Sequence, residues 1–266
     1  MASTQITIQL QGSARDNGDV RFGDFIKQLS AVKKALGETD RVLSQTETVY
    51  YRVVDLRHNS PAQIVLEAVK RNDVEADNAA HVVDAFISGL SQIAAGIAPD
   101  GFDYYALQSY KEMTNLIGKG LADFTVRQNG TAVSVSSAFG RNIDVILGPD
   151  RYEMGSVTGL LQQINLHDER NIFTIYPTIG QSRLRCIFPQ ALRTQAVGAV
   201  DRYIKVFGQM KYKTQDKHPY EMMVQSIEVY PPAEQLPKLS DLWGIAPDAL
   251  EGQSTEDFIR NIRHEW

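Results

Sequence analysis

Cysteine is nearly absent from this chain. Cys186 stands alone among 266 residues, so an internal disulfide cannot form, and the composition suits a reducing compartment. Long apolar runs are missing too. The most apolar helical stretch is interrupted by His81, Asp84 and Gln92, well short of the roughly 20 uninterrupted apolar residues that a spanning helix requires. The opening Met-Ala-Ser-Thr-Gln-Ile has neither the charged start nor the apolar segment of a secretory signal. A cytoplasmic location without membrane attachment is the expectation.

Catalytic and metal-binding patterns are scarce as well. His58, His81, His167, His218 and His264 have no second ligand at metal-site spacing, and His167-Asp168-Glu169 reads as a charged turn. Gly155-Ser156-Val157-Thr158-Gly159 lacks the Lys-Ser/Thr that a phosphate-binding loop needs to hold phosphates and magnesium. Cys186, with Leu184 and Ile187 close by on a predicted inner strand, reads as a buried and inert thiol. No metal, no cofactor and no enzymatic activity are therefore expected.

What is present is material for two domains. An apolar content of 43% with 22% charged residues gives a substantial core without staples, and 266 residues exceed one typical domain. The net charge of −5 is unevenly spread. Residues 1–150 hold 14 Lys and Arg against 18 Asp and Glu, residues 151–230 hold 10 against 7, and residues 231–266 hold 3 against 7. Only the middle segment is basic, with an excess too small to identify a nucleic-acid binder by charge alone.

Hydrophobic periodicity predicts a strand at Thr4–Leu10, a helix over Phe22–Leu36, and a hairpin of Val49–Leu56 with Gln63–Val69 around Arg57-His58-Asn59-Ser60-Pro61. Helices follow near Asn78–Ile97 and Tyr104–Leu121. A second hairpin joins Phe124–Arg127 to Thr131–Val135 through Asn129-Gly130, which suits a type I′ turn. This makes residues 1–148 an α+β domain, with Gly148-Pro149-Asp150 as its boundary. The pattern then turns to β, at Tyr152–Asn165, Asn171–Tyr176, Arg183–Phe188, Tyr203–Lys213 and Glu221–Tyr230, with a short helical segment opened by Pro189 between the third and fourth strands.

Five strands with a helix between the third and fourth resemble an oligonucleotide/oligosaccharide-binding (OB) barrel over residues 151–230. Gly155, Gly159 and Gly208 relieve crowding where long strands bend. The resemblance implies a ligand face on its second and third strands. Across residues 151–230, Phe173, Tyr176, Arg183, Arg185, Lys211, Tyr212 and Lys213 are the residues that suit single-stranded nucleic acid, rings stacking on bases and cations meeting phosphates. The competing reading has Phe173 and Tyr203 filling the interior while the charges solvate the outside.

Residues 231–266 form an amphipathic tail that holds both tryptophans. Leu239, Leu242 and Trp243 precede a last helix capped by Ser254, which carries Phe258, Arg260, Ile262, Arg263 and Trp266. Ser254 to Trp266 resembles the C-terminal tails of bacterial antitoxins that bind PIN-domain ribonuclease toxins. The leading expectation is a non-enzymatic interaction protein that captures such a partner through its tail. The alternative is a single-stranded nucleic-acid binder acting through the barrel.

Overall fold

The computed structural model describes residues 3–58, 60–167, 171–179, 183–214 and 216–231, with residues 235, 254, 256, 257 and 260 beyond. Its first half contains β1 (Gln5–Gly12), α1 (Phe22–Ser44), β2 (Val49–Arg57), β3 (Ala62–Lys70), α2 (Ala79–Ala94), α3 (Tyr104–Glu112), β4 (Leu121–Gln128), β5 (Thr131–Ser134) and α4 (Ser137–Leu147). The strands form one antiparallel sheet in the order β2-β3-β1-β4-β5. Alternation along β1 sends Ile6, Ile8 and Leu10 into a core shared with Val32, Phe86, Leu90, Tyr110 and Phe139 of the helices. Gln5, Thr7, Gln9 and Gln11 take the opposite face, as the two-residue period of a strand requires.

The helices depart from the sequence expectation in several places, α2 among them, which ends at Ala94 and not Ile97. Helix α1 continues past Leu36 to Ser44 because its last turns bury polar residues in place of apolar ones. The Asp40 carboxylate accepts hydrogen bonds from the amides of Thr48 (2.5 Å) and Val49 (3.0 Å) and the Thr48 hydroxyl (2.7 Å), and the Thr39 hydroxyl lies 2.8 Å from that of Tyr110. Satisfied polar groups of this kind are stable in an interior but leave no apolar stripe to read. Helix α3 ends at Glu112, where consecutive turns leading to Gly118, with φ at +76°, replace the expected continuation to Leu121. Helix α4 was not expected at all, although Phe139, Ile143 and Leu147 repeat every four residues on its buried face. The second hairpin turns at Asn129 and Gly130, with φ of 48° and 82°, the two positive angles of a type I′ turn.

The second half contains β6 (Asp150–Asn165), β7 (Asn171–Pro177), β8 (Leu184–Phe188), α5 (Arg193–Gly198), β9 (Tyr203–Lys213) and β10 (Glu221–Val229). Strand β6 pairs with β7 and β9, β7 with β8, and β10 with both β9 and β8, so every strand has two neighbours. The β8–β10 pairing is parallel and short, from Arg185 opposite Glu221 to Ile187 opposite Met223. Close backbone approach explains two of the glycines. A Cβ at Gly208 would lie 2.1 Å from the Met223 carbonyl oxygen, and one at Gly159 would lie 2.5 Å from that of Tyr176. Leu161, Phe173, Ile175, Leu184, Cys186, Val206 and Met222 fill a second core, separate from the first. Burial pushes the Cys186 thiol well above its ordinary pKa.

The molecule is thus a mixed α+β protein with one core per sheet. Among the described residues no helix is long and apolar enough to cross a membrane.

Candidate binding cleft

The first turn of α3 joins the two cores. Asp103 caps it, its carboxylate accepting from the Ala106 amide at 2.9 Å, and the exposed peptide ends of that turn are satisfied as helix starts require. Burial raises the Asp103 pKa. The two tyrosines that follow are aimed at the second sheet. The Tyr105 hydroxyl donates to the Tyr220 carbonyl (2.5 Å) and accepts from the Arg185 amide (3.2 Å), and so enters the seam at the beginning of the β8–β10 pairing. Burial raises its pKa far above the phenol range, so it remains a donor. The Arg183 guanidinium lies 4.4 Å from the centre of the Tyr105 ring and forms a 2.8 Å ion pair with the buried Glu38 of α1.

Tyr104 stacks on Tyr220 with ring centres 3.8 Å apart and planes 18° from parallel. The Tyr220 hydroxyl donates to Asp150 at 2.9 Å, and Lys211 and Lys213 approach the same carboxylate at 3.0 and 2.7 Å. Burial works to raise the Asp150 pKa, but the hydrogen bonds from Lys213, Lys211 and Tyr220 prevail and hold it at about 2. Aromatic stacking, a desolvated hydroxyl and charge-assisted bonds together fix the two sheets in one arrangement.

Cavities open on both sides of this junction. The larger, about 950 Å³, runs between the α1 and α3 helices and the outward faces of β6, β7 and β8. Lys34, Tyr105, Gln108, Gln163, Thr174 and Arg185 are among its walls, a mixture of ring, amide and cation that can grip a polar, extended ligand. The Lys34 ammonium is 2.5 Å from Glu112, whereas the guanidinium of Arg185 is 3.9 Å from its nearest carboxylate, Glu221. A smaller cavity of about 530 Å³ lies beside Tyr104, with Arg41, Asp103, Asp216 and His218 in its walls. Burial, reinforced by Asp103, raises the Asp216 pKa. No three His, Cys, Asp or Glu side chains among the described residues come together as metal ligands would.

The residues singled out from the sequence are divided by this geometry. Arg183 and Arg185 line the larger cavity. Phe173 is fully buried in the second core and Tyr212 almost so, because both take inward positions on alternating strands, and neither ring presents a stacking face outside. Tyr203, expected inside on the competing reading, is 52% exposed. Lys211 and Lys213 turn toward Asp150, away from the cleft, and Tyr176 is half-buried opposite Leu160. Leu239, Leu242, Trp243, Phe258, Ile262, Arg263 and Trp266 lie outside the described residues. Arg260 is described and exposed, 3.6 Å from Asp257, and the Ser254 hydroxyl accepts from the Asp257 amide at 3.1 Å as a helix cap does. Lys34, Tyr104, Tyr105 and Gln108 went unmarked in the sequence. The cap followed by two tyrosines, Asp103-Tyr104-Tyr105, was the available signal.

No protein-family model matches this chain, and no curated protein matches its sequence.

Proposed function

We infer that this chain is a non-enzymatic binding protein whose second unit is an OB-like barrel and whose cleft takes a single nucleic-acid strand. The observation that carries the reading is the position of the larger cavity over β7 and β8, the second and third strands of the unit, where OB barrels hold their ligands. The strand order supports the likeness, with the first strand between the second and fourth and a helix between the third and fourth. Arg185 supplies a cation for phosphate, Gln108 and Gln163 supply base-edge hydrogen bonds, and the α1 and α3 helices form the second wall.

Fluorescence anisotropy of labelled single strands, measured against salt, tests this. Affinity is expected to fall steeply as salt rises, because phosphate contacts release counterions. Arg185→Glu should weaken binding to every sequence and reduce the salt slope by about 1. A protein that leaves labelled DNA and RNA strands free at low salt refutes the reading.

A second reading is favoured by the capped turn at Ser254 and the exposed Arg260. On it the tail docks a protein partner, and by its resemblance that partner is a PIN-domain ribonuclease toxin. Trp266→Ala should then abolish capture of that toxin, while Lys238→Ala leaves it almost unchanged, because buried aromatic anchors outweigh rim charges.

A further inference from the structure

The first sheet has two edges, and they differ in kind. Strand β5 is a four-residue edge, Thr131–Ser134, with mostly small and polar side chains, and shortness is one of the ways a protein protects a sheet edge. Strand β2 has nine residues, and Tyr50, Val53, Val54 and Leu56 are 48, 57, 45 and 60% exposed. It carries no lysine and no proline. Its outer row of peptide groups has no strand partner among the described residues, so main-chain hydrogen bonds and an apolar strip are offered together.

The order of charges on β2 identifies what fits there. The strand pairs with β3 through a bulge between Val53 and Asp55, so that Arg52 stands opposite Glu67 and Asp55 opposite Val65. Glu67 and Val65 are two apart and share a face of the sheet, and the bulge therefore puts Arg52 and Asp55 on one face as well. Without the extra residue they would point to opposite sides. An antiparallel copy of β2 centred between Val53 and Val54 then brings Arg52 of each copy opposite Asp55 of the other, Tyr51 opposite Leu56, and Tyr50 opposite Arg57. Within one chain Arg52 already meets Glu67 at 2.6 Å and Asp55 meets Arg57 at 2.8 Å. Across the new seam the order becomes Glu67, Arg52, Asp55, Arg57, alternating in sign. We propose that β2 is a self-association edge at which two copies of this chain join their first sheets into one continuous antiparallel sheet of ten strands.

Sedimentation equilibrium of the full chain over a wide concentration range tests it, with circular dichroism to check that each variant is folded. The wild type should form dimers, and Leu56→Glu should shift the equilibrium to monomer. Arg52→Asp alone sets two acids against each other at the seam, and Asp55→Arg alone sets two bases, so each should be monomeric. Mixed together they restore opposite signs at both positions, and a heterodimer should form at least tenfold more tightly than either variant pairs with itself. A wild type that is monomeric throughout overturns the proposal. So do dimers that survive Leu56→Glu and both charge reversals, since another surface would then hold them, and so does a folded mixture that fails to pair.

Discussion

One sheet in this molecule has ends and the other has none. The first is open, with helices against one face and β2 and β5 at its margins, while the second returns on itself through the β9–β10 and β8–β10 pairings. The difference shows in how each is stabilised. The open sheet depends on α1, α2, α3 and α4 for its core, so its stability is spread over long-range helix contacts, including the buried polar set around Asp40, Thr48, Thr39 and Tyr110. The closed one fills its own interior and needs only the short α5 at one end. Covering helices in the first case, and closure in the second, satisfy the same demand that apolar faces leave water.

If the cores are independent, damage to one should spare the other. Phe173→Ala, which empties a fully buried site in the second core, should destabilise that unit by about 3–5 kcal/mol. Amide exchange followed by mass spectrometry should then show protection lost across β6 to β10 and retained in β1 to β5, with Phe124→Ala giving the reverse. Loss everywhere from either variant would mean that the two sheets fold as one cooperative block.

Closure itself is tested by Gly208→Ala. Its added methyl must displace the Met223 carbonyl at the β9–β10 pairing, with an expected cost of about 1–3 kcal/mol. The same change at Gly130, where a Cβ meets nothing within 4 Å but φ is +82°, strains only a turn. Thermal melts of the two variants should separate accordingly, with the Gly208 protein lower.

The junction answers to smaller changes. Tyr105→Phe removes the hydroxyl that bridges Tyr220 and Arg185 and should cost about 1 kcal/mol, read as a lower midpoint in urea. The pH effect is confined to acid. Because the Asp150 pKa is depressed from 3.8 to about 2, its contribution is complete above the ordinary value and disappears as pH falls from there through the folded one. Acid melts of the wild type should therefore lose stability across that window, and Asp150→Asn, already without the charge, should show a flatter dependence there.

The closed sheet was the more legible in sequence. Its strands alternate apolar and polar residues with turn residues between, and Tyr203–Lys213 was located to the residue. The open half was read less well wherever function or folding relies on polar burial. Glu38, Thr39 and Asp40 look like the exposed end of a helix, and their partners lie beyond the helix, Thr48 just past it and Tyr110 and Arg183 in distant segments. The cleft was half visible for a related reason. Arg183 and Arg185 belong to a strand whose face can be counted, but Lys34, Tyr105 and Gln108 reach it only because two cores are joined, and no local pattern encodes that. Phe173 and Tyr212 show the opposite error, since an aromatic next to basic residues reads as a binding surface until the strand's inward side is known.

Placing one phenol in a seam between strands also makes that seam a sensor. The Arg185 amide points at the Tyr105 oxygen at 3.2 Å, and at 3.4 Å it also faces the Tyr220 carbonyl. Its solvent exchange and its nitrogen chemical shift therefore report whether α3 is seated. The same residue projects its side chain into the larger cavity. A single labelled amide can thus register both events, ligand arriving in the cleft and the helix leaving its place, through two spectroscopic signatures of opposite kind: a shift without faster exchange for the first, and faster exchange for the second.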